Sequence, residues 1–159
     1  MGALKKGEGL AMNGTVRTPW HLWVVGMLSL LWNGFGVTDY MMTNLKNMWW
    51  LRDFAQLTPE QIAYFDSTPS WATAAWAFGV WGAFAGSLLL VLRSRHAVTA
   101  FIVSLAGLAF STLYQFALSP VDLTELFGPG PMLTTLVIWL IEIALLYYAR
   151  RQTGKGVLR

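Results

Sequence analysis

The chain contains no cysteine. That excludes disulfides, thiolate nucleophiles and Cys-ligated metal sites, and leaves the redox compartment open. Charge is scarce as well. Asp, Glu, Lys and Arg make up 12% of the 159 residues, against about 25% in a soluble domain. Histidine occurs only as His21 and His96. The HExxH, P-loop and GxGxxG patterns are missing, and no Ser-His-Asp spacing appears. The glycines of "GVWGAFAG" lie within a hydrophobic run rather than between a strand and a helix. The residue types present therefore predict no enzyme and no cofactor.

What is abundant is apolar. The hydrophobic fraction is 55%, with nine Trp, five Tyr and nine Phe. The length suits one domain. A domain this small leaves much of its surface exposed, so so much apolar surface must face something other than water. Aromatics in this number suit a protein with two membrane interfaces to anchor.

A helix needs roughly 17–25 apolar residues to cross the hydrocarbon of a bilayer. Four runs qualify, at about Trp20–Met42, Ser70–Leu92, Ala97–Leu118 and Pro131–Ala149. The fold class expected is all-α: an integral membrane four-helix bundle over 20–149, a cytoplasmic N-terminal tail over 1–19, and a basic C-terminal tail over 150–159. The N-terminal stretch does not read as a signal peptide, since no apolar core directly follows Lys5 and Lys6. It also lacks the Ser/Thr of a myristoylation site.

Charge alternates between the connections. Every Lys and Arg except Lys46 and Arg52 falls on one side of the four spans. The positive-inside rule then puts both termini in the cytoplasm, and the basic total marks topology rather than nucleic acid. The short "RSRH" turn makes spans two and three antiparallel neighbours. The long outer connection, about Thr43 to Pro69, holds "LKNMWWLRDF", a mixture of aromatic and charged residues suited to the headgroup region. Thr58, Pro59 and Gln61 then form a capping-box pattern, predicting a short outer helix from Pro59 to about Phe65. The second outer connection allows one helical turn before Gly128-Pro129-Gly130-Pro131 breaks it.

An ionisable residue in a membrane span is costly and marks a functional-site hypothesis. Asp39 and Glu142 are two such carboxyls. At ~1.5 Å rise per residue, Asn33 and Glu142 fall near the middle of their spans, while Asp39 and Tyr40 fall near the outer boundary with Tyr114 and Gln115. Asn33, Asp39, Tyr114, Gln115 and Glu142 are thus candidates for a polar path open to the outer face, with Glu142 able to carry a proton. The bland reading is that Asn33 and Glu142 bond across two helices, and that Asp39 reaches interfacial water. Gly79, Gly82 and Gly86 in span two, with Gly34 and Gly36 in span one, predict close helix packing, within the bundle or at a dimer seam. Trp71, Trp76 and Trp81 recur every five residues and spiral round span two. Deep rings such as Trp76 and Trp81 either pack against lipid or core, or line a pocket for a flat or sugar-like ligand.

His21 and His96 both lie at cytoplasmic span ends and could meet, which opens a haem or metal reading beside the ordinary interfacial one. Met41, Met42 and Met48 near the outer face, with Met132, offer soft thioethers for Cu(I), or simply interfacial packing.

The combination "LWNGFGVTDYMMT", "PSWATAAWAFGVWGAFAGSLLLVLRSRHAV", "STLYQFALS" and "VIWLIEIALLYYARR" resembles a family of small bacterial inner-membrane proteins often labelled as sugar transporters. The resemblance covers about Trp20 to Arg151. It implies transport of small polar solutes in the inner membrane and assigns no residue roles. Four spans hardly enclose an alternating-access path alone, so transport implies a homodimer. The alternative is a non-catalytic accessory or assembly subunit that docks a partner membrane protein through its glycine face. The expected surroundings are the lipid bilayer and either a second copy or a partner subunit, with no nucleic acid.

Overall fold

A computed structural model describes residues 17–159. Lys5, Lys6 and the other features expected of the first 16 residues lie outside the described residues. The chain is all-helical, with no strand among the described residues. Among the described residues six α-helices follow one another: α1 (Trp20–Asn44), α2 (Pro59–Ser67), α3 (Ser70–Val91), α4 (Ala97–Leu113), α5 (Leu123–Phe127) and α6 (Gly130–Gly154). Two π-helical segments complete them, Trp49–Phe54 in the first long connection and Tyr114–Leu118 as the continuation of α4.

Among the described residues three helical stretches are long and apolar enough to cross a membrane: Ser70–Val91, Ala97–Leu118 and Gly130–Gly154. α1 matches them in length, but Asn33, Asp39 and its tryptophans dilute its hydropathy. The side chains are distributed inside out. Leu31 is 69% and Leu140 61% exposed, whereas Ser29, Asn33, Ser87, Ser104, Ser111 and Glu142 are buried. Water would penalise such a surface, and hydrocarbon would not. The chain is built as a membrane protein.

The antiparallel pair α3–α4 is the centre, with α1 against α3 and α6 against α4. The small face of α3 is what brings α3 and α4 together. A Cβ on Gly82 would lie 2.9 Å from the Ser104 nitrogen, and one on Gly86 would lie 2.7 Å from the Phe101 ring. Gly107 answers from α4, where a Cβ would come within 2.6 Å of the Ala75 carbonyl. Backbones this close leave no room for side chains. On α1, a Cβ on Gly34 or Gly36 would meet α3 at ordinary contact distance, 3.7 Å from Phe84 and 4.0 Å from Val80. The face expected to dock a partner helix is filled within the chain. On α1 the glycine that matters is Gly26, against Val91.

α2 begins as expected. Gln61 N–H donates to Thr58 Oγ1 at 3.3 Å, and Thr58 N–H donates to Gln61 Oε1 at 3.0 Å. This capping box satisfies two otherwise orphaned donors, and the helix runs two residues beyond Phe65, to Ser67. α5 is capped by Asp122, which accepts from Thr124 and Glu125 N–H. It supports α2 through a bond from Gln61 Nε2 to the Leu126 carbonyl, 2.9 Å, and through Tyr64 and Phe65 against Phe127.

The C-terminal segment is no loose tail. α6 continues past Ala149 to Gly154, and the chain then folds back. Val157 and Leu158 are buried in one cluster with Leu22, Leu90, Phe101 and Ala149. Arg159 exchanges backbone hydrogen bonds with the α3–α4 turn, donating to the Arg93 carbonyl at 2.8 Å and accepting from Arg95 N–H at 3.0 Å. Two apolar residues in a basic stretch drive the return, because burying each removes apolar surface from water.

Candidate functional site

Two cavities lie near one another along the helix axes. The inner one, about 190 Å³, is walled by α1, α3, α4 and α6 and is lined by Asn33, Asp39, Ser104 and Glu142 among apolar neighbours. The outer one, about 230 Å³, lies between the ends of α1, α3 and α4 and the short helix α2, and is lined by Lys46, Tyr64, Asp66, Tyr114 and Gln115. Trp76 and Ser111 line both. Both volumes are below the ~300–1,000 Å³ of drug-sized pockets, which limits any occupant to a small molecule.

Asn33 and Glu142 share the inner cavity, and each is also tied to a neighbouring helix. The Asn33 amide donates to Ser87 Oγ at 2.9 Å and to the Ala83 carbonyl at 3.4 Å, tying α1 to α3. Glu142, 2% exposed, reaches across to α4, where Ser104 Oγ lies 3.4 Å from its Oε2. Ser104 Oγ also lies 2.7 Å from the Gly79 carbonyl. A hydroxyl has one proton to give. The shorter bond to Gly79 takes it, and the Ser104 oxygen is then free to accept from a protonated Glu142. The serine therefore accommodates the carboxyl in either protonation state, by turning its hydroxyl.

Asp39 belongs to the inner cavity and not, as the depth estimate suggested, with Tyr114 and Gln115. Its carboxylate accepts from Trp50 Nε1 at 3.0 Å. Trp50 stands in the π-helical segment after α1, which turns this buried indole back over the end of the helix, against Phe35. The second π-helical segment carries Tyr114 and Gln115 into the outer cavity. A π-helical turn shifts the side chains that follow it round the helix, and such turns recur at functional sites. Neither was foreseen, because a five-residue hydrogen-bond register has no signature in apolar spacing.

Trp76 is the residue whose role was left open. Its ring is stacked on Phe65 with centroids 6.2 Å apart and meets Tyr40 edge-on at 5.0 Å. Trp81, by contrast, faces outward. The mouth of the outer cavity carries an ion pair, Lys46 Nζ to Asp66 Oδ1 at 2.9 Å, half-exposed on both sides. Lys46 has φ 52°, the left-handed region that costs a residue other than glycine roughly 1–2 kcal/mol. Tyr64 is 6% exposed, and its hydroxyl is buried without a hydrogen-bond partner. Burial pushes the phenol above its ordinary pKa, and the nearby Ser119 hydroxyl offsets only part of this. An unpaired buried hydroxyl costs on the order of 1–3 kcal/mol. Tyr64→Phe is therefore expected to raise the thermal midpoint in detergent, by about 1 kcal/mol of stability; an unchanged or lowered midpoint would mean that the hydroxyl is bonded after all.

His21 and His96 do not meet. His21 Nδ1 is hydrogen-bonded to the Tyr148 hydroxyl, and His96 lines a separate groove with Arg95 and Arg150. No group of three or more His, Asp or Glu suited to a metal occurs among the described residues. Met41, Met48 and Met132 are exposed apolar side chains.

Fold and cavities together define a class: a small all-helical membrane protein with polar groups enclosed between its helices. Comparison with models of known families, with curated proteins and with solved structures finds no match. The functional reading rests on the geometry.

Proposed function

We propose that the chain is a four-span protein of the bacterial inner membrane that carries or binds a small polar solute. α1 supplies the fourth span. At ~1.5 Å per residue, its 25 residues are long enough, and its Asn33 is turned inward while Leu28 and Leu31 face outward. The basic end, where α1 begins and α6 ends, lies in the cytoplasm by the positive-inside rule. The outer cavity then opens to the other side. This reading groups the chain with the small bacterial inner-membrane proteins it resembles, and makes it a homodimer, since one copy is too small for a complete alternating-access path.

The observation that carries the proposal is the succession of the two cavities, separated by shared residues Trp76 and Ser111 and ending at Glu142. A solute entering the outer cavity meets Tyr114 and Gln115, then Asn33 and the carboxyls of Asp39 and Glu142. Glu142 would exchange a proton as the solute passes. Polar groups held at this depth are expensive in a membrane and line substrate paths where they occur. The test is solute uptake into proteoliposomes under an imposed proton gradient. Glu142→Gln is expected to lower gradient-driven flux about tenfold, the equivalent of ~1.4 kcal/mol, with exchange at equal pH less affected. Asn33→Ala should impair both. Flux indifferent to both substitutions would remove these residues from the path.

A further inference from the structure

The end of the molecule formed by the start of α1, the α3–α4 turn and the end of α6 is basic and unbalanced. Among the described Lys and Arg residues only Lys46 and Arg52 lie elsewhere, and every described acidic residue lies within a helix or at the opposite end. A groove of about 200 Å³ runs between α1 and α6 here, lined by His21, Tyr147, Tyr148, Arg151, Gln152 and Lys155. Its walls are fixed. The His21–Tyr148 bond joins the two helices. The Gln152 carbonyl accepts the N–H groups of Val157 and Leu158, whose buried side chains hold the returning segment beneath.

Arg151 in the last turn of α6 and Lys155 capping it are four residues apart, so they share a face. That face continues along the helix as Leu140, Ile143 and Tyr147, which are 61%, 52% and 67% exposed. An apolar stripe with helical spacing thus leads to a pair of cations, with an exposed Trp20 ring nearby on α1. Gln152 adds a second, independent feature. It is 2% exposed, yet its Oε1 has no hydrogen-bond partner. A buried amide oxygen seeks a donor, which neither cation-binding phosphate oxygens nor an acyl chain can supply.

We propose that this groove is a binding site for an anionic phospholipid whose phosphodiester headgroup carries hydroxyl groups. The phosphate is held by the Arg151 guanidinium and Lys155 ammonium. Arginine matches two phosphate oxygens with two N–H groups. A headgroup hydroxyl donates to Gln152 Oε1, and an acyl chain follows the Tyr147–Ile143–Leu140 stripe. The stripe selects a lipid over a free phosphate, because a free anion gains nothing from apolar surface. The aromatic rings lie where membrane interfaces favour them. This inference depends on the chain being a membrane protein and not on solute transport.

The full chain in a zwitterionic detergent is titrated with dioctanoyl phosphatidylglycerol, dioctanoyl phosphatidylcholine, dioctanoyl phosphatidic acid and glycerol phosphate, with bound species counted by native mass spectrometry. Phosphatidylglycerol is expected to bind about tenfold or more tighter than phosphatidylcholine, because two basic residues pair with its charge, and glycerol phosphate not at all. Arg151→Gln with Lys155→Gln should remove that preference. Both side chains are exposed, and an unchanged melting temperature verifies the fold. Lys46→Gln with Arg52→Gln, at the opposite end, should leave it intact. Gln152→Leu should narrow the margin of phosphatidylglycerol over phosphatidic acid. The proposal is overturned by equal binding of phosphatidylcholine, by glycerol phosphate binding as tightly as the lipid, or by a preference that survives the Arg151/Lys155 double substitution. The lipid comparison on the unaltered protein decides the matter even if a variant fails to fold.

Discussion

Gly107→Ala is expected to unfold the α3–α4 pair. A methyl group there would lie 2.6 Å from the Ala75 carbonyl oxygen and closer still to the Gly79 nitrogen, both of them backbone atoms of α3. Flexible side chains can move aside, but a helix backbone moves only as a whole. The neighbouring contacts forbid that relief. Gly82 meets the Ser104 backbone one helical turn away, and Gly86 meets Phe101, which is fully buried. Separating the helices at Gly107 would loosen the packing at each of these points. Overpacking ordinarily costs about 1–3 kcal/mol, and more where nothing yields, so a loss of at least ~3 kcal/mol is expected. Denaturation with increasing sodium dodecyl sulfate in mixed micelles measures it. Gly34→Ala is the control, because a Cβ there rests 3.7 Å from the Phe84 ring, an ordinary contact. It should be neutral. Should Gly107→Ala unfold no more readily than Gly34→Ala, the close approach of α3 and α4 is wrong.

The same two helices show what was legible in the sequence. Ser70–Val91 and Ala97–Leu118 could be delimited nearly to the residue, since a span's length is fixed by bilayer thickness and its ends by Pro69 and "RSRH". The small residues of α3 announced a close contact but not its partner. Gly82 fits any helix able to present a small face, and only the three-dimensional pairing singles out Ser104 and Gly107 on α4. Thr58 and Gln61 were readable because a cap is a local bargain between residues three apart. The returning segment was not, because Val157 and Leu158 become core only through Leu22 and Phe101, far away in sequence. Cost made the site residues visible: Asn33, Asp39 and Glu142 stand out among apolar neighbours, and all three line one cavity. Depth along a straight helix misplaced Asp39, whose surroundings are set by the π-helical return of Trp50. Ser104 and Ser111 passed unnoticed because a serine in a helix usually bonds its own backbone, as Ser111 does to Leu108, while Ser104 crosses to α3 and α6.

Trp76→Ala is expected to join the two cavities. The indole lines both, held between Tyr40 and Phe65, and with Ser111 it is all that the inner and outer linings have in common. The absence of cysteine makes this directly measurable. Ser104→Cys places a single thiol in the inner cavity with little change of volume. A charged, membrane-impermeant thiosulfonate can reach it only through water-filled space. With Trp76 in place, modification must await a transient opening, and its rate follows the free energy of that opening. Removing the indole should accelerate it roughly a hundredfold, equivalent to ~2.8 kcal/mol of opening free energy. Comparing rates between two proteins with the same Cys substitution cancels the low reactivity of a thiol in apolar surroundings. Trp76→Phe should fall between, since a smaller ring still stacks on Phe65, and it guards against a general loosening of α3. Acceleration must also appear only for reagent added on the side of the Lys46–Asp66 pair, where the outer cavity opens. An unchanged rate would mean that Trp76 does not part the cavities, and the path proposed from Tyr114 and Gln115 to Glu142 would have to run elsewhere. A rate raised equally from both sides would mean that the substitution has opened the whole bundle.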